Sequence, residues 1–146
     1  MQRHASSGSL TMDDFAVREM LNRLLPPWAR LYGLVPVSVS SNGIALRLPY
    51  SSVLCHLDDA ISNQVLATVA DVAMIIAVSA AIGEIRPMAP VYMNTHYVRR
   101  VRSGSVFISA HVSRLFTRTG SGEVEMLDES GSVAVHATAT YTMVAA

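Results

Sequence analysis

Residues 61–83 read ISNQVLATVADVAMIIAVSAAIG, and from Ser62 onward this stretch holds one formal charge, Asp71. A helix that is apolar on every side belongs either in a membrane or in the middle of a protein. A carboxylate at the centre of a bilayer costs about 3 kcal/mol, and the small polar residues Asn63, Gln64, Thr68 and Ser79 add to the objection. The stretch is therefore expected to be a core helix wrapped by the rest of the chain. Gly83 stands where a left-handed C-cap would end it.

What surrounds it is read by period. Residues 1–10 are polar, without the apolar centre of a signal peptide, and are expected to be a flexible N-terminus. Residues 11–146 read as a single domain. From Thr11 the run TMDDFAVREMLNRLL reads as a helix, with Thr11 as N-cap and Asp13 and Asp14 in its first turn. Phe15, Met20, Leu21, Leu24 and Leu25 supply its apolar stripe, and Pro26-Pro27 stops it. Trp28 is expected to be a packing anchor.

Two strands follow, with Val35, Val37 and Val39 on one face of the first and Ile44, Leu46 and Leu48 on one face of the second. Asn42-Gly43 between them is the dipeptide of a tight hairpin with positive φ. Past the helix, period two returns four times. The core faces are Val91, Met93, Thr95 and Tyr97; then Val106, Ile108, Ala110 and Val112; then Val124 and Met126. The last strand carries Val133, Val135, Ala137, Ala139, Tyr141 and Met143 on one face. Ser103-Gly104 and Asp128–Gly131 read as turns, and Arg118–Gly122 as loop. Short connections make these strands antiparallel. The fold class is α+β: about six antiparallel strands covered on one face by the central helix, plus a short N-terminal helix.

Composition narrows the function. The 146 residues carry 11 basic and 11 acidic side chains, which gives no general reason to expect nucleic acid or an anionic membrane as partner. Every basic residue is arginine, so a Schiff-base lysine is excluded. The single cysteine, Cys55, rules out an intrachain disulfide and fits a reducing compartment, so a cytoplasmic location is expected. A hydrophobic fraction of 51% suggests an oligomer. The five histidines lack metal-ligand spacing, and no phosphate-cradling glycine loop occurs, so neither metal nor cofactor is expected.

Asp71 is where chemistry is to be sought. Gln64, Thr68 and Asp71 fall at i, i+4 and i+7, one polar stripe on a greasy helix. A buried carboxylate must be neutral, hydrogen-bonded or beside a wet cleft. The free N–H groups near Asn63 and Gln64 offer an electropositive pocket to a carbonyl oxygen gaining negative charge. Asn63 and Asp71 are about 12 Å apart along one helix axis, too far to share a carbonyl. Two antiparallel helices from two chains remove the difficulty, so the site asks for a homodimer.

The layout, with ISNQVLATVADVAMIIAV after LRLPY and before VYMNTHYVRRVRSG, resembles the hotdog-fold acyl-CoA thioesterases of the phenylacetate-degradation (PaaI-like) type. The likeness covers about residues 33–143 and is strongest over Ile61–Ala73, YVRRVRSG and the closing HATATYTM strand. It implies a sheet wrapped around a central helix, assembled as dimers and often as dimers of dimers. It also implies hydrolysis of an acyl-CoA thioester by Asp71, as general base or nucleophile, with the carbonyl held by the Asn63 N–H. Many relatives have His-Gly-Gly where this chain has Ser62-Asn63-Gln64. His56 falls where relatives often carry an asparagine or other polar residue that orients water, and Pro90 replaces a serine or threonine found in some. Gln64 and Thr68 are candidate substrate contacts. Arg99, Arg100 and Arg102 are candidates for the coenzyme A phosphates, and Met74, Val78 and Met93 for the acyl pocket.

Two other functions fit the same layout. The loss of His-Gly-Gly suits a non-catalytic module that binds an acyl-CoA or fatty-acyl ligand. The spacing of His56 and Asp71 suits a dehydratase of hydroxyacyl thioesters, although the Phe-Pro and Pro-Gly punctuation of that group is missing between them.

Overall fold

A computed structural model describes residues 13–144. Helix α1 (Asp14–Leu24) is followed by a 3-10 segment (Pro27–Tyr32) and the strands β1 (Val35–Val39) and β2 (Gly43–Leu48). Helix α2 (Asn63–Ile82) comes next, then β3 (Met88–Tyr97), β4 (Val106–Leu115), β5 (Thr119–Leu127) and β6 (Val133–Met143). The six strands form one sheet in the order β1-β2-β4-β5-β6-β3, antiparallel throughout. This is the hotdog arrangement that the sequence implied.

Helix α2 packs across β2, β3, β4, β5 and β6, while α1 packs on β1 and α2. Its apolar girth is thereby used up inside the molecule. The most apolar window of α2 would be long enough to cross a membrane, yet 67% of it is buried against the rest of the chain. Val69, Ala70, Ala73, Met74, Ile76, Ala77 and Val78 are fully enclosed. Gly83 closes the helix in the left-handed conformation, its N–H donating to the Ser79 carbonyl.

Several local expectations are corrected. Residues 119–122, read as loop, are the first half of β5. Gly120 and Gly122 lack the side chains that mark a strand by pattern, and their bareness is what lets α2 approach. A Cβ on Gly122 would collide with the His111 carbonyl oxygen and Met74 Cε, and one on Gly120 would fall 3.0 Å from Val78. Gly43 has an ordinary negative φ and is the first residue of β2, where a Cβ would press on the Ala110 carbonyl at 2.8 Å. Close approach of β4, not turn geometry, requires glycine there.

A register irregularity between Pro36 and Ser38 buries Pro36 and leaves Val37 exposed. Another between Pro90 and Tyr92 turns Val91 outward. In α1 the cap is Asp13, whose carboxylate accepts from the Ala16 N–H; the expected Thr11 cap lies outside the described residues. Val17 joins Met20, Leu21 and Leu25 in the core, and Phe15 faces solvent. Trp28 is 62% exposed and meets the buried Tyr32 edge-on, so Tyr32 is the anchor and Trp28 is surface.

The turn at Ser103-Gly104 is not a hairpin. β3 and β4 stand apart in the sheet, with β6 and β5 between them. Residues 98–105 carry the chain across, tied down by the Ala134 carbonyl, which accepts from the Val98 and Arg99 N–H groups. Val101 is buried on the way, and its carbonyl accepts from Ile61 N–H just before α2. That crossing brings the arginine cluster to the start of the central helix.

Gly122→Ala should destabilise the chain by about 3 kcal/mol, the upper end for overpacking, because backbone and not a flexible side-chain tip meets the new methyl. Urea unfolding checks it; a midpoint equal to wild type would refute the close-approach argument.

Candidate functional site

The start of α2 is assembled by its own polar residues. Ser62 is the N-cap: its hydroxyl accepts from the Gln64 N–H at 3.2 Å and donates to the Gln64 side-chain oxygen at 2.6 Å. The Thr68 hydroxyl donates back to the Gln64 carbonyl at 2.8 Å. Gln64 and Thr68, expected to touch substrate, thus direct their hydrogen bonds into the helix start itself. Among the described residues the Asn63 N–H, the first of the helix, has no hydrogen-bond partner, whereas the next amide is capped. Tyr97 on β3 reaches the same turn and donates to the Asn63 carbonyl at 3.4 Å.

The loop before the helix is pinned in a compact shape. His56 N–H donates to the Ala60 carbonyl, Asp59 N–H to the His56 carbonyl, and the Tyr50 hydroxyl to the Asp59 carbonyl at 2.8 Å. Asp59 takes a left-handed φ of 63°, a conformation that Asp tolerates better than most residues. The Cys55 thiol is half-buried and donates to the Ser51 carbonyl. His56 is exposed and, with Trp28, Leu31, Val53, Ser62 and Gln64, lines a groove of about 490 Å³ beside the helix start.

The arginines form a separate patch. Arg99, Arg100 and Arg102 border a hollow of about 430 Å³ shared with Asp128, Glu129 and Ser130. Arg100 pairs with Asp58 at 2.8 Å, Arg102 approaches the same carboxylate at 3.7 Å, and Arg99 approaches Asp128 at 3.6 Å. Desolvation acts to raise the Asp58 carboxyl, but the Ala60 N–H and the two guanidiniums outweigh it and hold it below the usual range. The Ser130 hydroxyl does the same for Asp128, against desolvation and with help from the Ser132 and Ser130 amides and Arg99. The guanidiniums stay largely exposed, so their free N–H groups face water.

Asp71 sits two turns along α2, half-buried, on the stripe with Gln64, Ala67, Thr68 and Ile75 that the sheet leaves uncovered. Its carboxylate Oδ1 accepts from the hydroxyl of Tyr141, which is itself fully buried on β6. Tyr141 is the site residue that sequence reasoning missed. It stood on the correct core face, and a buried tyrosine hydroxyl requires a partner, but nothing in the sequence named that partner. Within one chain, Asp71 does not line the groove that holds His56 and the start of α2. Within one chain the three expected catalytic residues are therefore split between two places.

A profile of the thioesterase superfamily matches residues 61–135, just over half of the sequence. The chain belongs to the thioesterase superfamily. That membership points to thioester hydrolysis in general terms, and the matched span runs from the start of α2 into β6. The fold is similar to that of the Escherichia coli PaaI protein from the phenylacetic acid degradation operon, with a TM-score of 0.80 and 12% identity over 94% of this chain and 97% of that one. A Haemophilus influenzae thioesterase superimposes with a TM-score of 0.79 at 16% identity, covering 92% and 94%. A conserved protein from Pseudomonas aeruginosa gives 0.76 at 24% identity, covering 84% and 98%. At these identities the likeness is one of fold. Comparison with curated protein sequences returns no match.

Burial, then the hydrogen bond and the charge of Asp71, push the Tyr141 phenol well above the ordinary tyrosine value of 10.0. The folded chain holds this proton more tightly than the unfolded chain does. The resulting stabilisation is fully present below pH of about 10 and is lost as the pH climbs above it. Unfolding free energy should accordingly fall more steeply above pH of about 10 in wild type than in Tyr141→Phe, as chemical denaturation across an alkaline series would measure.

Proposed function

We propose that this protein hydrolyses an acyl-CoA thioester in a site completed by a second copy of the chain. The observation that carries the reading is the half-buried Asp71 carboxylate on the uncovered stripe of an otherwise apolar helix, two turns from an unpaired helix-start N–H. In the reaction, Asp71 takes a proton from water as the water oxygen bonds to the thioester carbon. The carbonyl oxygen gains negative charge and is held by the Asn63 N–H of the second copy. Collapse of this intermediate breaks the carbon–sulfur bond, and the departing thiolate takes the proton from Asp71. The products are a carboxylic acid and coenzyme A. His56, beside the helix start, orients the water or the thioester. The Arg99, Arg100 and Arg102 patch takes the coenzyme A phosphates, exchanging its present carboxylate contacts for phosphate oxygens.

The homodimer is supported by β3. It is a ten-residue edge strand that bears no Asp, Glu, Lys or Arg and exposes Val91, Tyr92 and Tyr97 beside the open stripe of α2. An edge of that kind is a template for a second strand. Pairing of two β3 strands antiparallel would lay the two α2 helices side by side, each Asp71 toward the other chain's helix start. A dimer of dimers and a cytoplasmic location complete the reading.

Asp71→Asn should reduce thiol release by about a thousandfold or more across a panel of acyl-CoAs while leaving the melting temperature near wild type. Wild-type protein that melts higher with an acyl-CoA yet releases no thiol would favour the non-catalytic binding module instead. Val91→Lys combined with Tyr92→Lys should shift the protein toward monomer in sedimentation and lower turnover with it. Full activity in a monomer would overturn the shared site.

A further inference from the structure

The Tyr141 hydroxyl is sealed within the molecule, and both acceptors it reaches belong to Asp71: Oδ1 of the carboxylate and, at 3.4 Å, the main-chain carbonyl. Its ring has zero exposure and stands on β6 between Gly120 of β5 and Pro90 of β3 in the register of the sheet. The donor is thus held in the sheet by a paired strand on either side. Phenylalanine would fill the same space with no polar atom to satisfy, so the hydroxyl is placed for the acid. Among the described residues Asp71 Oδ2 has no protein partner.

We propose that Tyr141 is a positioning residue for the Asp71 carboxylate: it clamps Oδ1 from beneath α2 and so aims Oδ2 at the reacting water. A half-buried aspartate on a helix otherwise samples several side-chain rotamers, and only a narrow range of them meets a water poised against a carbonyl. A fixed donor at one oxygen removes that freedom and assigns the proton-accepting role to the other. The hydroxyl also satisfies the half of the carboxylate turned toward the sheet, where an acceptor without a partner would be costly. This rests on the reading of Asp71 as the catalytic base.

The experiment compares wild type, Tyr141→Phe, Asp71→Asn and the double variant for thiol release from an acyl-CoA that the wild type hydrolyses. Tyr141→Phe should lower kcat by about 10- to 100-fold with KM within about twofold, since only alignment of the base is lost. On the Asp71→Asn background the same change should have no further effect, because Tyr141 acts through the acid. A Tyr141→Phe enzyme with wild-type kcat, beside an inactive Asp71→Asn, would overturn the positioning role and leave the base assignment standing. An Asp71→Asn enzyme as active as wild type would overturn the base assignment itself.

A second measurement covers a Tyr141→Phe chain that does not fold. In protein labelled at tyrosine Cζ, the Tyr141 resonance should titrate far above the ordinary range in wild type and move down toward it in Asp71→Asn. No such movement would refute the contact.

Discussion

A helix with no polar face has to be enclosed, and the fold follows from that constraint. α2 contributes twelve buried residues, and five of the six strands lie against it. Contact at this density depends on what is missing from β5. Gly120 and Gly122 present bare backbone where a side chain would meet Val78, Met74 and the neighbouring strand. A sheet of ordinary side chains would hold the helix further away and leave voids along it, each forfeiting dispersion contacts. The same closeness puts the Tyr141 hydroxyl within reach of a carboxylate on the far side of the interface.

Enclosure has a functional consequence. The sheet covers only part of α2, and the stripe it leaves open carries Asp71 and the first turn of the helix. One helix separates a carboxylate from an unpaired amide by two turns, too far for both to act on one carbonyl. In the proposed reaction the described residues therefore supply two half-sites, the carboxylate of one chain and the amide of another. The crossing segment 98–105 serves the amide end: its buried Val101 ties to Ile61, and its arginines come to rest beside Asp58 in the loop before the helix.

Much of this was legible in the residues. The central helix and its glycine cap, the alternation of β2, β4 and β6, the Asp128–Gly131 turn and the polar stripe through Asp71 are local patterns, set by periods of 3.6 and 2 and by capping chemistry. Where local pattern and packing part company, packing wins. Thr119–Gly122 resembles a loop because glycine and serine usually signal one, yet neighbouring strands on both sides hold it extended. Trp28 resembles an anchor by its size, but Tyr32 occupies the buried position.

The sequence by itself determined that a helix apolar all round lies at the centre, that an antiparallel sheet covers it, and that one acid interrupts it. These are properties of neighbours along the chain. Strand order, with β3 exiled to the far edge, and the partnership of Tyr141 with Asp71 were decided only in three dimensions. Seventy residues separate the phenol from the carboxylate. Alternation could place the phenol on the inner face of β6, and helical spacing the acid on the polar stripe of α2, but the depth to which a glycine-floored sheet admits the helix decides whether they touch.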